Sequence, residues 1–334
     1  MGYTRLKDID LQESMNSRVY ITALVTNVLV SPQKNGGKYA TLTCVDEGKN
    51  IKIKMFGYTE GTIEHGKVYD IRADVQEYPE GSGSIALKVY GKPEENLEAD
   101  YKLFVDIMKE RETAINTINN ALYGYETNRL IVVLARNLIY NNSNIFAHVA
   151  AGKKMHHNKI GGLVVHTAEV MNISLKLADT VEMFYPDIKI DRELLIVAAC
   201  LHDIGKIKEI VTDNIGESEY STDSCLESHI VTGCRMIEHE AYELGFFDKE
   251  SHSKEEIDAN EKDLKLLIHC INSHHGQMDW GSPVTPAIIE AHIISMSDIM
   301  SAKLYQVTST LSDLKNGEAG KFWTHDGNVN VFKP

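Results

Sequence analysis

The chain has 334 residues, of which 43% are hydrophobic and 25% are charged, with 23 glycines and 7 prolines. This composition is typical of a folded globular protein and excludes collagen-like and broadly disordered chains. Because the length exceeds that of one typical hydrophobic core, we expect two domains. No run approaches the roughly 20 uninterrupted apolar residues that cross a membrane, and the first residues lack the apolar core of a secretion signal, so we expect a cytoplasmic protein without a membrane partner.

The net charge of −14 is distributed unevenly. Residues 1–93 contain 12 Lys and Arg against 11 Asp and Glu, a net charge of +1, so the rest of the chain carries −15. An acidic region in a chain with 14 histidines is better suited to divalent cations than to coating a phosphate backbone. The five cysteines include no Cys-x-x-Cys pair, so they are interpreted as reduced packing residues rather than a disulfide framework or a zinc ribbon.

The N-terminal region alternates apolar and polar residues from Val19 to about Val89, which is the pattern of half-buried strands. Glycine-bearing turns such as Asn35-Gly36-Gly37 separate the runs into roughly five strands. These strands fit a small OB-like barrel, a fold that often binds single-stranded nucleic acid, and an SH3-like barrel fits the same pattern. Aromatic residues of this region are candidates for stacking on bases and equally for the barrel core: Tyr20, Tyr39, Phe56, Tyr58 and Tyr78.

From Tyr101 onward the apolar residues recur at helical spacing, with no convincing strand between them. The sequence Lys92–Asn96 breaks the strand pattern, so we place the domain boundary near residue 97. The chain is therefore predicted to be multidomain: an OB-like all-β barrel over 1–96, an all-α domain over 97–315, and a turn-rich tail over 316–334 that forms a loop or a short hairpin. Helices are predicted over Leu130–Tyr140, Leu163–Ala178, Glu193–Leu201, Ser228–Glu240, Leu264–His274 and Pro286–Tyr305.

Histidines and aspartates lie on the apolar faces of these predicted helices. His202-Asp203 ends the apolar run Leu194–Leu201, where a buried carboxylate needs a partner and a divalent cation satisfies both side chains. An isolated pair of this kind is more often a helix-end acid beside a hydrogen-bonded histidine. Here, however, other helices also direct polar groups toward the core, namely His166, His229, His274, His275 and Asp298. Their convergence predicts a metal centre.

Four of these residues stand in a recognisable order along the chain, namely His166, His202, Asp203 and Asp298. This order resembles the H…HD…D signature of the HD-domain metal-dependent phosphohydrolases. The segment Leu201–Lys206 reads LHDIGK and is similar to the fuller form of that signature. The further His229 and the His274-His275-Gly276 element resemble the variant that holds two metals.

The resemblance implies a ligand set. The first metal would be held by His166, His202, Asp203 and Asp298. His229 and His274 would hold a second metal, with Asp203 bridging the two ions. Imidazole and carboxylate together suit Mn²⁺ above all, and also Fe²⁺, Co²⁺, Zn²⁺ or Mg²⁺, and a water shared between two such cations becomes a nucleophile at neutral pH.

The same resemblance implies residues that act on the substrate. Lys206 would meet phosphate oxygens as a catalytic residue beside Asp203, although a lysine at a helix end can equally be solvated. His156 and His157 would lie on the substrate side of the site. His275 would contact phosphate or take a third ligand position.

The arrangement of the whole chain points to one group of hydrolases. An OB-like barrel joined to this helical domain, with His156-His157-Asn158 just before His166, resembles the YhaM-like 3′-5′ exoribonucleases. The resemblance implies a metal-dependent phosphodiesterase, above all a 3′-5′ exonuclease that releases nucleoside monophosphates from single-stranded RNA, or DNA.

Two other functions and the assembly of the chain stay open. Because HD-type sites resemble one another across phosphate esters, the substrate could instead be a free or cyclic nucleotide. A non-enzymatic nucleic-acid-binding regulator with a structural metal is disfavoured by the near-neutral barrel, since phosphate binding usually relies on clustered Lys and Arg. Association into a homo-oligomer is compatible with the sequence and undetermined by it.

Overall fold

The computed structural model describes residues 2–33, 36–77, 85–124, 126–153, 157–324 and 327–334. The chain divides into two compact units, the first comprising residues 1–107 and 213–217 and the second comprising 108–212 and 218–334.

The first unit extends beyond the boundary near residue 97 that the sequence predicts. Residues Tyr101–Leu103 form a 3₁₀ turn, and Phe104 after it is buried. The carbonyl of Phe104 accepts the backbone N–H of Glu47 at 3.0 Å, and the guanidinium of Arg5 lies 4.3 Å from the centre of the Phe104 ring. The residues from Tyr101 to Phe104, where the sequence predicts the start of the helical domain, therefore belong to a turn of the first unit.

Within the described residues, the first unit contains a sheet of seven strands. They are β1 (Thr4–Arg5), β2 (Arg18–Pro32), β3 (Lys38–Asp46), β4 (Lys49–Phe56), β5 (Lys67–Glu77), β6 (Ile85–Val89) and β7 (Glu94–Glu95). The long strands pair in the order β2-β3-β4-β6-β5, and β5 pairs again with β2. Strands β4 and β6 are parallel, and the other pairs in this circuit are antiparallel. This order is that of an OB fold, so the OB-like prediction is confirmed as an OB-fold-like sheet.

The alternation seen in the sequence decides which side chains of this sheet are buried. On β3, Ala40, Leu42 and Cys44 are fully buried, while the residues between them retain some exposure. A bulge between Val25 and Asn27 interrupts the pairing of β2 with β3. Such bulges bend a strand, which helps the long β2 to pair with β5 over its first half and with β3 over its second half.

The second unit is built from helices, whose bounds in the described chain are α1 (Arg111–Tyr123), α2 (Leu130–Asn141), α3 (Ser143–Phe146), α4 (Gly162–Phe184), α5 (Arg192–Leu201), α6 (Lys206–Glu209), α7 (His229–Glu243), α8 (Lys254–Ser273) and α9 (Ile289–Ser312). Helix α5 is buried on every side from Leu194 to Leu201, as expected for a helix at the centre of a core. None of the helices in the described ranges is both long enough and apolar enough to cross a bilayer.

The all-α prediction for residues 97–315 needs one correction, because a short hairpin accompanies the helices. Strands β8 (Ile210–Thr212) and β9 (Ser218–Tyr220) form the first hairpin. With three residues each, they are too short to display an alternating pattern. In the tail over 316–334, strands β10 (Ala319–Thr324) and β11 (Gly327–Phe332) form a second hairpin, which is one of the two forms predicted for it.

Gly205 permits a close approach between the segment before α6 and helix α7. A Cβ atom at Gly205 would overlap the carbonyl oxygen of His229 and lie 2.8 Å from the amide nitrogen of Gly233. Both are backbone atoms, which cannot swing aside as the end of a flexible side chain can. A Cβ at Gly233 would meet its nearest atom at 3.3 Å, which demands a much smaller adjustment.

We predict that Gly205→Ala lowers the midpoint of thermal unfolding by several degrees, because the added methyl group forces α6 and α7 apart. Gly233→Ala is the matched control in the same contact. Its effect should be much smaller, since alanine also favours the helical conformation of α7. Circular dichroism melts of the two variants would check this, and equal midpoints would contradict it.

Candidate metal centre

The predicted polar side chains converge inside the second unit from separate helices. They are His166 on α4, His202 and Asp203 just after α5, His229 at the start of α7, His274 and His275 just after α8, and Asp298 on α9. Since α5 lies in the core, the residues that follow its last turn emerge where water does not reach. His202 is fully buried and Asp203 is only 2% exposed.

A first ligand group is formed by His166, His202 and Asp298, whose candidate ligand atoms all lie within 4.8 Å of one another. The Nε2 atom of His166 lies 3.1 Å from Oδ1 of Asp298 and 3.2 Å from Nε2 of His202. The Oδ2 atom of Asp203 lies 3.4 Å from both of these imidazole nitrogens. Two imidazoles and two carboxylates thus surround one small volume.

A second ligand group is formed by His229, His274 and His275, whose candidate ligand atoms again lie within 4.8 Å of one another. Here the other carboxylate oxygen of Asp203 is the neighbour. Its Oδ1 atom lies 3.4 Å from Nε2 of His229 and 3.6 Å from Nε2 of His274. One carboxylate therefore lies between the two groups and directs one oxygen toward each.

Where Asp203 meets the second group, three buried polar atoms lack hydrogen bonds to any part of the chain that the structure describes. They are Oδ1 of Asp203, Nε2 of His229 and Nε2 of His274. Leaving a buried polar atom unsatisfied costs about 1–3 kcal/mol, so a cluster of such atoms needs an explanation. A divalent cation would satisfy all of them at once, and imidazole with carboxylate is a donor set that such cations accept. The residues present therefore fit a metal.

The outer nitrogens of the imidazoles are fixed by hydrogen bonds. Three of the Nδ1 atoms lie within hydrogen-bond distance of backbone carbonyls: His202 with Ala199 (2.8 Å), His274 with Ile271 (2.7 Å) and His275 with Trp280 (2.8 Å). A carbonyl can only accept, so each Nδ1 carries the proton and donates it. Each neutral ring then has its lone pair on Nε2, which is the state that a metal ligand requires.

The Nδ1 atoms of the two remaining imidazoles contact side chains, a hydroxyl for His166 and a carboxylate for His229. The hydroxyl of Ser301 donates to Glu169 at 2.7 Å, and its oxygen lies 3.0 Å from Nδ1 of His166, which therefore donates to it. Nδ1 of His229 lies 3.1 Å from a carboxylate oxygen of Glu209. The sequence reasoning missed Glu169, Ser301 and Glu209. Glu169 follows His166 by one helical turn, but this spacing is too common among helical residues to identify a partner.

Lys206 is buried beside Asp203. Its ammonium Nζ lies 2.7 Å from Oδ2 of Asp203, and the residue is 8% exposed. The alternative of a solvated helix-end lysine is therefore wrong. Although burial raises the pKa of Asp203, the charge of Lys206 and the neighbouring imidazoles take that pKa well below its usual value. Asp203 is consequently ionised at neutral pH.

The histidines expected on the substrate side have different outcomes. His156 lies outside the described residues. His157 is fully buried, with Nε2 3.2 Å from Glu169 and its ring centre 4.2 Å from that of Tyr305. Because its side chain has no exposed surface, the expectation that His157 contacts substrate is corrected: it packs behind the first ligand group. His275 keeps some exposure and joins the second group.

The charges of the first group favour a cation at its centre. Burial lowers the pKa of His166, but hydrogen bonds to Asp203 and Asp298 outweigh burial and raise that pKa to about 9. In the second group, by contrast, burial and the adjacent His274 lower the pKa of His275 to about 4, so that ring is neutral at pH 7. Without a metal, His166 therefore holds a proton that a metal ion must displace.

We predict that metal binding releases about one proton per chain near neutral pH, because His166 must deprotonate to act as a ligand. At a pH below the His166 pKa of about 9, the proton on His166 competes with the metal. The apparent affinity for Mn²⁺ should therefore rise with pH until the pH exceeds that pKa. Calorimetric titration of metal-free protein in buffers of different ionisation enthalpy would count the protons. An affinity independent of pH, with no proton released, would contradict the prediction.

Comparison with known proteins identifies the region that contains these ligands. Residues 163–303 match the HD domain family. Over these residues the chain is similar to HD domains. HD domains are metal-binding phosphohydrolases, so the resemblance seen in the signature residues is confirmed, and the chain is an enzyme of this hydrolase class.

Several relatives are similar over most of the chain. The 3′-5′ exoribonuclease YhaM of Bacillus velezensis is 27% identical over 288 residues, which cover 85% of this chain and 84% of the relative. The protein of that name from Bacillus licheniformis is 27% identical over 336 residues, 98% of both chains. Among solved structures, the second OB-fold domain of replication protein A from Methanococcus maripaludis is 17% identical, with a TM-score of 0.21, and covers 28% of this chain and 96% of that domain.

Proposed function

We propose that this protein is a metal-dependent phosphodiesterase that degrades single-stranded RNA from the 3′ end and releases nucleoside monophosphates, with DNA as a second substrate. The observation that carries the proposal is the position of Asp203, which directs one carboxylate oxygen to each ligand group. The similarity to proteins named 3′-5′ exoribonuclease, extending over both units, supports the choice of substrate.

Two divalent cations are the proposed cofactors. The first would be held by His166, His202, Asp203 and Asp298, and the second by His229, His274, His275 and Asp203. Mn²⁺ suits this mixture best, and Fe²⁺, Co²⁺, Zn²⁺ and Mg²⁺ are the alternatives. When bound, such ions acidify water and neutralise the charge of phosphate oxygens.

Lys206 is the proposed catalytic cation supplied by the chain itself. Its ammonium carries three N–H donors, of which the pair with Asp203 uses one. Fixed next to the ligand groups, it adds positive charge where a phosphodiester would develop negative charge during displacement. The same ion pair keeps Asp203 ionised and therefore able to bind metal.

The OB-fold-like sheet provides a surface suited to holding the strand. The outward side chains of β4 include Lys52, Lys54 and Phe56, and all three are exposed. Lys54 pairs with Lys88 across the parallel strands, and the ammonium of Lys88 lies 5.2 Å from the centre of the Phe56 ring. The ring of Tyr39 stacks on Phe56 at 5.7 Å. We call these five residues the strand-holding surface.

This surface combines the two features of single-strand recognition, positive charge for phosphates and an aromatic ring for bases. Its strands correspond to the face that OB folds use for oligonucleotides. Local clustering of lysines thus offsets the near-neutral net charge of the region. Of the other aromatic candidates, Tyr58 is buried in the core and Tyr78 lies outside the described residues.

We predict that Phe56→Ala weakens binding of an oligoribonucleotide about 5- to 150-fold, because stacking on one base contributes about 1–3 kcal/mol. Lys54→Ala should weaken binding and also make it less dependent on salt concentration. Fluorescence anisotropy in the presence of a chelator would measure affinity without cleavage. Tyr140→Ala, which removes an exposed aromatic residue of α2, is the matched control. Unchanged affinity in Phe56→Ala would remove the stacking role.

We predict that Asp203→Asn lowers cleavage by several orders of magnitude, because two neighbouring cations repel each other strongly without the anion between them. Elemental analysis should find less than the wild-type metal content. Oligonucleotide affinity should be retained, since the strand-holding surface is intact. His239→Gln, which changes an exposed histidine of α7, is the control and should alter neither property. A folded Asp203→Asn protein with full metal content and normal cleavage would refute the assignment of the centre.

One product analysis separates the substrate classes. Oligoribonucleotides labelled at the 5′ or the 3′ end are incubated with the full-length protein and Mn²⁺. A 3′-5′ exonuclease releases the 3′ label as a mononucleotide at once and shortens the 5′-labelled strand progressively. Cleavage of cyclic or free nucleotides with intact oligonucleotides would favour the nucleotide hydrolase instead.

A further inference from the structure

Glu209 contacts His229 at two places. One carboxylate oxygen, Oε1, accepts the backbone N–H of His229 at 3.0 Å. The other, Oε2, lies 3.1 Å from the Nδ1 atom of the same residue. A carboxylate oxygen accepts, so the Nδ1 atom of His229 carries the proton and donates it to Glu209. Both side chains are nearly buried, with 13% and 11% exposed.

This contact distinguishes His229 from the other imidazoles of the second ligand group. The Nδ1 atoms of His274 and His275 donate to backbone carbonyls, which carry no net charge. The Nδ1 atom of His229 donates to a full negative charge. A carboxylate in this position fixes the ring and makes its inner nitrogen a stronger electron donor.

The position of Glu209 along the chain connects it to the other ligand group as well. Asp203, Lys206 and Glu209 occur at intervals of three residues in a single short segment that ends with α6. Gly205, in the same segment, allows it to approach the backbone of His229 closely. The segment that places Oδ1 of Asp203 therefore also places Nε2 of His229, and these two atoms are 3.4 Å apart.

We infer that Glu209 is a positioning residue for the second ligand group: it holds His229 with Nε2 toward Asp203 and strengthens that nitrogen as a ligand. The inference rests on the proposed metal centre. A purely structural role is the competing explanation, because Glu209 also accepts the first backbone N–H of α7, where Ser228 makes no side-chain capping bond. The experiment must therefore separate metal binding from folding.

Glu209→Gln separates the two roles, since glutamine still accepts the backbone N–H through its side-chain oxygen but has no charge. Full-length metal-free protein is titrated with Mn²⁺ and followed by calorimetry and by the electron paramagnetic resonance of free Mn²⁺. The wild type should bind two equivalents. In Glu209→Gln one equivalent should bind about 10- to 100-fold more weakly, while the other keeps its affinity. Thermal unfolding of the metal-free protein should be unchanged.

The matched control is Glu227→Gln, which removes the same charge close to α7 from an exposed pair with Arg235. It should leave both affinities at the wild-type values. Wild-type affinities in Glu209→Gln would overturn the inference and leave the metal centre standing. A loss of affinity matched by a lower melting temperature of the metal-free protein would overturn it in favour of a capping role. A wild-type protein that binds no Mn²⁺ would overturn the metal centre itself, and the inference with it.

Discussion

The second unit is organised around one buried carboxylate, that of Asp203. Removing a charge from water is costly unless partners compensate for it, and Asp203 is only 2% exposed. Its compensation comes from the ammonium of Lys206 and from imidazoles on each side. Because the imidazoles of His166, His229 and His274 come from separate helices, those helices must pack around α5 before all of these partners are in place. Because a buried negative charge needs positive partners, this arrangement is also suited to binding cations.

The outer contacts of the imidazoles complete this arrangement. A ring that is buried but free to rotate would be a poor ligand, since it would lose entropy when it binds. Here carbonyls at helix ends hold His202 and His274, while carboxylates hold His166, through Ser301, and His229. The imidazoles of the ligand groups are therefore held in place by contacts within the chain. The hydrogen bonds that restrain the rings are made by their Nδ1 atoms, on the side of each ring that faces away from the ligand group.

The two units divide the work of the proposed reaction. Acidic and imidazole side chains of the second unit are suited to binding cations. Without bound cations, the negative charge of the acidic side chains would repel phosphate. In the proposed reaction, the lysines of the OB-fold-like sheet would attract phosphate on a surface of the first unit, next to an exposed aromatic ring. This division explains why a protein with a net charge of −14 can be proposed to bind a polyanion. The location of the charge matters more than its sum.

Much of this protein could be predicted from the sequence, because some signals are local. Alternation of apolar residues predicted the strands of the first unit, and its burial pattern on β3 follows that alternation. The signature residues predicted the ligand groups, since polar side chains on otherwise apolar helices have few alternatives to a buried site. The paired position of His202 and Asp203 after an apolar helix was the most informative of these signals.

Other features depended on contacts between distant parts of the chain. His166 and Ser301 are separated by 135 residues, and Ser301 is an ordinary serine until α4 and α9 pack together. The same is true of Glu209, whose partner is decided by the approach of α6 to α7 at Gly205. Whether Lys206 is solvated or buried, and whether His157 meets substrate or packs behind His166, was also decided by packing. The candidate ligands can be identified from the sequence, because polar residues stand out on apolar helices. Their hydrogen-bond partners follow from the packing of the helices, because hydrogen bonds between helices have no periodicity along the chain.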